Sequence, residues 1–398
     1  MSTITSTPAL SRRFDGVQSS IVRDLLALTE RPGVISFAGG LPAPELFDVE
    51  GARAAFEAVL AAAPGKVLQY SPTEGNADLR AAVADRYVAR GLPTRAEDIV
   101  ITTGSQQGLS LLSTTLVDPG DVILVESPSY LAALQCFALA GATLVEVPST
   151  GDGVDVEVLA DLARRHQPKA FYTVPTFHNP TGRTLSAQNR AEVVAAAEQF
   201  GFRVIEDDPY TELRYSGDPV PSMATMTDGE HVICAGSFSK ILAPGLRLGW
   251  VRTDPTTKPA LVVAKQAADL HTSTLDQAAA AHYLAAGRLD ASIARSRLEY
   301  GRRRDTMLAA LPQALPAGSS WNHPDGGMFV WVTLPAHLDS SDLLGHAISH
   351  EVAFVPGAPF FARSPQRNTV RLSFITYPPA TIEEGLSRLG TAFGQLRT

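Results

Sequence analysis

The stretch that decides the fold runs His231-Val232-Ile233-Cys234-Ala235-Gly236-Ser237-Phe238-Ser239-Lys240 and resumes two residues later as Ala243-Pro244-Gly245-Leu246-Arg247-Leu248-Gly249-Trp250. Residues 231–235 are mostly apolar and β-branched, the pattern of a buried strand. Lys240 then stands just past the strand, with the hydroxyls of Ser237 and Ser239 on one side and Arg247 seven residues on. An amine so placed can form a Schiff base with an aldehyde, while the hydroxyls and the arginine hold a phosphate on that aldehyde. A surface lysine in a polar loop carries similar local letters, so the other parts of such a site must appear elsewhere in the chain.

Outward from this run, short apolar segments alternate with amphipathic ones from about residue 51. Strands are predicted at Ile99–Thr102, Val122–Val125, Leu144–Val147, Phe171–Val174 and Val204–Glu206. Helices are predicted between them at Gln106–Leu116, Leu131–Ala140, Val156–Arg165 and Ala187–Phe200. Such alternation implies an α/β fold with a mainly parallel sheet covered on both faces. Ligands of these sheets gather outside the carboxyl ends of the strands, so residues that do chemistry should follow strands directly.

After about residue 290 the pattern changes to an Arg-rich helix at Arg295–Arg304 and strands within Gly326–Val332, Val352–Val355 and Val370–Phe374. These predict a large domain over residues 51–290 and a smaller α+β domain over 291–398. Residues 1–50, broken by Gly39-Gly40, Pro42 and Pro44, are expected to pack with the smaller domain as an N-terminal arm. A chain of 398 residues exceeds what one core usually serves. The net charge of −8 argues against nucleic-acid or anionic-membrane partners. With no apolar run long enough to span a bilayer and no signal-peptide pattern at Met1–Leu10, a cytoplasmic protein is expected. Cys136 and Cys234, both in apolar contexts, are expected to be small buried hydrophobes, and no metal site is expected.

The remaining parts of the site follow predicted strands. Thr103-Gly104-Ser105-Gln106 opens a helix whose free N–H groups attract a phosphate, with Ser105 and Gln106 adding donors. Tyr130 ends Glu126-Ser127-Pro128-Ser129-Tyr130 and can stack on an aromatic ring. In Pro175-Thr176-Phe177-His178-Asn179-Pro180-Thr181-Gly182 two prolines and a glycine fix a turn that presents the Asn179 amide, with His178 in the turn or at its rim. Glu206-Asp207-Asp208-Pro209-Tyr210 supplies a carboxylate, Asp207, able to keep a pyridine nitrogen protonated, and a phenol, Tyr210, able to donate to a phenolate. Arg371, a charge among apolar neighbours in Val370-Arg371-Leu372, needs a partner, and a substrate carboxylate would satisfy it bidentately. The aldehyde that suits all of these is pyridoxal 5′-phosphate.

In one order along nearly the whole chain, these segments resemble the fold type I pyridoxal-phosphate enzymes, in particular class I/II aminotransferases of the 2-aminoadipate and kynurenine kind. The resemblance also rests on Ile35-Ser36-Phe37-Ala38-Gly39-Gly40-Leu41-Pro42, Gln69-Tyr70-Ser71-Pro72-Thr73-Glu74-Gly75, Gly326-Gly327-Met328-Phe329 and Phe354-Val355-Pro356-Gly357. It implies a large domain with a sheet of the seven-stranded type, and a homodimer with shared active sites. Tyr70 would reach the neighbouring subunit's cofactor phosphate, while Ser105, Gln106, Ser237, Ser239 and Arg247 hold the phosphate in their own subunit. Tyr130 would stack on the ring, with Asn179, Asp207 and Tyr210 contacting it. Arg371, with Asn179 and Gly40, would receive the substrate, and Arg23 in Ile21-Val22-Arg23-Asp24 matches an arginine that reads acidic side chains.

These roles imply ping-pong transfer of an amino group between an L-amino acid and a 2-oxo acid, with Lys240 as Schiff base and proton shuttle. Glutamate and 2-oxoglutarate are the expected common pair. A lyase, decarboxylase or amino-acid oxidase on the same scaffold would use the same electron sink. A transcription regulator with an aminotransferase-like domain would need a DNA-binding module, for which the residues before Ile35 leave no room.

Overall fold

The run 231–235 and its extension fold as a fully buried strand, Val232–Ser237, at the heart of a large sheet. The computed structural model describes residues 11–14, 33–151, 153–227 and 230–394. In chain order the strands are β1 (Ile35–Ser36), β2 (Ile99–Thr102), β3 (Val122–Ser127), β4 (Thr143–Thr150), β5 (Gly153–Val154), β6 (Ala170–Thr173), β7 (Arg203–Asp207), β8 (Val232–Ser237) and β9 (Gly249–Arg252). There follow β10 (Ser320–Trp321), β11 (Phe329–Thr333), β12 (Val352–Ala353), β13 (Val355–Pro356) and β14 (Thr369–Ser373).

Eight strands form the large sheet in the order β2-β9-β8-β7-β6-β3-β4-β5. The pairs β3–β4, β3–β6, β6–β7 and β7–β8 are parallel, whereas β9 runs antiparallel to both β8 and β2. This is the expected mainly parallel α/β sheet with one strand more than seven. The addition is β5, whose two residues pair antiparallel with the end of β4 and are too short to leave a periodic signal. Every residue of β2, β6 and β8 is buried. Strands covered on both faces show unbroken apolar runs in place of alternation.

The covering helices begin where the sequence places them. Ser186 accepts from Asn189 N to cap the helix Ala187–Phe200, and left-handed Gly201 closes it. The chain proceeds outward from β3 to β4, then returns to begin the opposite run with β6. The sheet therefore switches direction between β3 and β6, and the crevice beyond their carboxyl ends is where ligands of such sheets bind.

A second, antiparallel sheet has the order β10-β11-β14-β13, and beside it helices Arg288–Ala314 and Pro379–Gly394 pack on each other, the latter also on β1 and β12. The first of these helices runs continuously through residue 290, and the Arg-rich stretch 295–304 is its middle. The run Val352–Val355 differs from the single strand expected: it splits at Phe354 between two sheets. β12 pairs parallel with β1, and β13 pairs with β14. Phe354, fully buried, packs edge-to-face on Phe393 of the last helix, and the chain steps from one sheet to the other around it. Among the described residues no helix is long and apolar enough to cross a membrane.

Candidate active site

The chain leaves β2 through Thr103-Gly104 and enters the helix Ser105–Leu116. Gly104 adopts φ 79°, a conformation that suits glycine, and a Cβ there would lie 2.4 Å from Arg247 Nη2. Gly249, at the start of β9, approaches so closely that its Cβ would lie 2.5 Å from Ser105 N. The first amides of this helix have no intrahelical acceptor and carry the positive end of its dipole. Beside them Ser237 Oγ accepts from Ser239 N at 3.0 Å. Hydroxyls, amides and a guanidinium thus converge as an anion cradle.

One cavity of about 270 Å³ is lined by Ser105, Gln106, Tyr130, Asn179, Asp207, Tyr210, Ser237, Ser239, Lys240 and Arg247, with Val174, Pro209 and Pro244 completing its walls. Ten residues picked from separate stretches of sequence line one space at the carboxyl ends of the strands.

Asp207, the last residue of β7, is 2% exposed. Its Oδ2 accepts from the Tyr172 hydroxyl at 2.8 Å, and its Oδ1 is buried without a partner. Burial raises its pKa to about 7, against the opposing Tyr172 bond and with a smaller push from Asp208. A buried carboxylate with one oxygen unsatisfied calls for a cationic donor. A pyridinium N–H in the cavity meets that need, and the anion cradle suits the ring's phosphate. The residues present fit pyridoxal phosphate.

Lys240 Nζ donates to Gly40 O at 2.8 Å. Burial, then the cations of Arg371 and Arg247, lower its pKa to about 8. An amine so poised is partly neutral, and therefore nucleophilic, near physiological pH. Arg371, on β14 and 3% exposed, donates from Nη1 to Asn179 Oδ1 at 2.8 Å and from Nη2 to Ala38 O at 2.7 Å, while its Nε has no partner. Burial lowers its pKa to about 10, which leaves it cationic. Burial also raises Tyr130 to about 12 and pushes Tyr210 well up, so both phenols stay protonated and can donate.

Tyr70 lies apart from this cavity: it is 78% exposed and packs edge-to-face on His271 at 5.7 Å. Gly40 and Arg371 adjoin the cavity's lining through Lys240 and Asn179, and Arg23 falls outside the described residues. Of the two places expected for it, His178 takes the turn and not the rim. It is 1% exposed, with Nδ1 2.8 Å from the Thr181 hydroxyl, and burial lowers its pKa to about 4. Cys234 is buried as expected, whereas Cys136 is half-buried and accepts from the Gln106 amide at 3.1 Å.

Several contributors escaped the sequence reading. Tyr172 holds Asp207, and a tyrosine inside an all-buried strand is itself a signal that its hydroxyl must meet a polar group. Glu126, 1% exposed, accepts from the Thr173 hydroxyl, from Val174 N at 3.2 Å and from Arg183 Nη2 at 3.3 Å, tying β3 to the loop after β6. Lys265, fully buried, donates to Gln107 at 2.9 Å, to Asp269 at 2.9 Å and to Thr272 at 3.0 Å beneath the anion cradle. No spacing rule links residue 107 to residue 265.

Comparison with known proteins agrees with this geometry. The family model described as aminotransferase class I and II matches residues 39–389. The chain is 42% identical to an aromatic-amino-acid aminotransferase of Thermococcus litoralis over 95% of its own length and 92% of the relative's. It superposes with a TM-score of 0.93 on a kynurenine aminotransferase of Pyrococcus horikoshii in complex with PMP, 39% identical and covering 98% of both chains. An α-aminoadipate aminotransferase of Thermus thermophilus, complexed with N-(5′-phosphopyridoxyl)-L-leucine, gives a TM-score of 0.91 at 40% identity, again over 98% of each chain. By its length of match, its fold and the convergence of its polar residues on one crevice, the chain belongs to the class I and II aminotransferases.

Proposed function

We propose that the cavity holds pyridoxal 5′-phosphate and that the protein moves an amino group between an L-amino acid and a 2-oxo acid in two half-reactions, with glutamate and 2-oxoglutarate as one pair. The carrying observation is that a partly neutral lysine amine and a buried carboxylate with an unpartnered oxygen line the same cavity. The bound cofactor supplies an aldehyde to capture the amine and a ring that takes up the electron pair from Cα.

The chain's own residues do the rest. Ser105, Gln106, Ser237, Ser239 and Arg247 hold the phosphate, and Tyr130 covers the ring face. Asp207 keeps the ring nitrogen protonated, while Asn179 and Tyr210 donate to the ring's phenolate. Lys240 would be the covalent attachment point, and its Nζ, when free, would take up and return the proton lost from Cα. Arg371 binds the carboxylate that every substrate carries, assisted by Asn179 and the backbone of Gly40. Tyr70, exposed as are Leu68 and Leu270, serves the phosphate of a second copy in a homodimer.

The relatives' names span aromatic, kynurenine and aminoadipate substrates. That range supports a pocket that admits both apolar and acidic side chains, with Arg23 reading the acidic ones. Arg23→Ala should weaken acidic donors more than apolar ones, and equal losses would remove Arg23 from that role.

The test is the visible spectrum of the holoenzyme with single amino acids and no oxo acid. Loss of the bound-cofactor band, with about one oxo acid released per site and recovery on adding 2-oxoglutarate, is the expected result. Recovery without an acceptor, or release of a decarboxylated product, would overturn the reading in favour of an oxidase or decarboxylase.

A further inference from the structure

Glu146 stands on β4, half-buried and outside the cavity. Its carboxylate accepts three consecutive backbone N–H groups: Ala362 at 2.6 Å and Arg363 at 3.1 Å on Oε1, and Ser364 at 3.2 Å on Oε2. Successive amides turned toward one anion form a nest, and charge makes each bond stronger than a neutral one. Just before the nest, Phe360 O accepts from Ser129 N at 2.7 Å. The segment 360–364 is thereby fastened to the large sheet twice, behind β3 and on β4.

The inward side of the segment is the Phe360 ring, fully buried in a small cluster with Ala38 and Val355 that is separate from the main core. Its ring centroid lies 5.0 Å from Arg371 Cζ, that of Phe329 lies 4.2 Å from the same atom, and Trp331 meets Phe360 edge-on at 5.8 Å. The guanidinium is thus flanked by two aromatic rings. Phe329 comes from β11, paired with Arg371's own strand, whereas Phe360 comes from the segment that Glu146 and Ser129 hold.

We infer that Glu146 is a positioning residue for carboxylate recognition: it latches the segment 360–364 and, through Phe360, sets the plane in which Arg371 meets its substrate. The inference rests on the reading of Arg371 as the carboxylate ligand and extends it to a residue outside the cavity. Because donor and acceptor share that carboxylate, Glu146 acts on both half-reactions alike, whatever the side chain of the donor.

The test is steady-state kinetics of the Glu146→Gln and Phe360→Leu holoenzymes with two donors of unlike side chain and one oxo acid, alongside titration of cofactor affinity. Each variant is expected to raise KM about five- to tenfold for all three substrates, with kcat and cofactor affinity held within about twofold. The double variant should be no worse than the weaker single one, since both act through one contact chain. Unchanged KM in Glu146→Gln, a loss confined to one donor, or losses that multiply would overturn the inference. Arg371→Leu run in parallel separates the two failures. If it raises KM and Glu146→Gln does not, only the latch falls; if it leaves KM unchanged, the reading of Arg371 falls first. Should Glu146→Gln fail to fold, Phe360→Leu carries the same comparison.

Discussion

Arg371 donates to the side-chain oxygen of Asn179 at 2.8 Å across 192 residues of chain, so the turn after β6 and the strand β14 present one polar surface. Tyr210 lines the same cavity as Asn179 and adjoins that surface. On the proposed function, a substrate carboxylate bound there would lie beside the groups assigned to the cofactor's phenolate.

Arg371→Lys keeps the charge and loses the planar fork. It is expected to raise KM about a hundredfold for every amino acid, with a smaller effect on kcat. Initial-rate measurements over several donors check this, and a KM within about threefold of wild type would remove Arg371 from carboxylate binding.

Lys240→Ala removes the proposed attachment point and leaves the anion cradle and Asp207 in place. The variant should bind the cofactor and lose at least about a thousandfold in turnover. Cofactor content after gel filtration, with single-turnover rates, provides the check. Normal steady-state rates would sink the assignment of Lys240.

The pKa of Lys240, lowered to about 8, makes its neutral fraction rise as pH passes through that value. Attachment of added pyridoxal phosphate to the apoprotein should accelerate with pH and level off above about 8. The Arg371 cation is the second cause of the lowering, so Arg371→Leu should move that midpoint upward. A pH-independent rate in the wild type would contradict the poised amine.

Asp207 carries a folded-state pKa of about 7 against an ordinary 3.8. Between these values the folded apoprotein binds a proton that the unfolded chain has released, so the contribution to stability falls as pH rises through the window. Asp207→Asn, which leaves an oxygen for the Tyr172 hydroxyl, should make the apoprotein more stable than wild type by on the order of 2 kcal/mol at about pH 8, with the gap closing toward about pH 4. Its affinity for pyridoxal phosphate should fall. Urea unfolding of both apoproteins at the two pH values measures the first effect, and cofactor titration the second.

Gly104→Ala tests the cradle by shape alone. A Cβ at this φ of 79° would both strain the backbone and lie 2.4 Å from Arg247 Nη2. Cofactor affinity should drop about tenfold or more while the apoprotein keeps its fold. Unaltered affinity would show that Arg247 takes no part in holding the phosphate.

The sheet was legible because strands buried on both faces leave unbroken apolar runs, and chemistry-bearing residues stand directly after them. The ten cavity residues were legible for the same reason: Asp207, Ser237 and Lys240 each sit at or just past a strand's carboxyl end. What escaped the reading depends on side chains meeting across long separations. Tyr172 reaches the neighbouring strand, Lys265 reaches Gln107, and Phe360 reaches Arg371, none at a spacing that periodicity exposes. β5 was missed because two residues carry no period, and the split at Phe354 because a buried aromatic reads alike inside a strand or between two.

The segment 35–40 is stitched almost wholly to residues far along the chain: Ile35 and Ser36 pair with Val352 and Ala353, Ser373 N donates to Phe37 O, Arg371 to Ala38 O and Lys240 to Gly40 O. During synthesis from the amino terminus, Asp207 at the end of β7 and Lys240 just past β8 emerge while this segment still has most of its partners untranslated. A nascent chain can therefore hold the residues that line the cavity well before the strand that carries Arg371 exists.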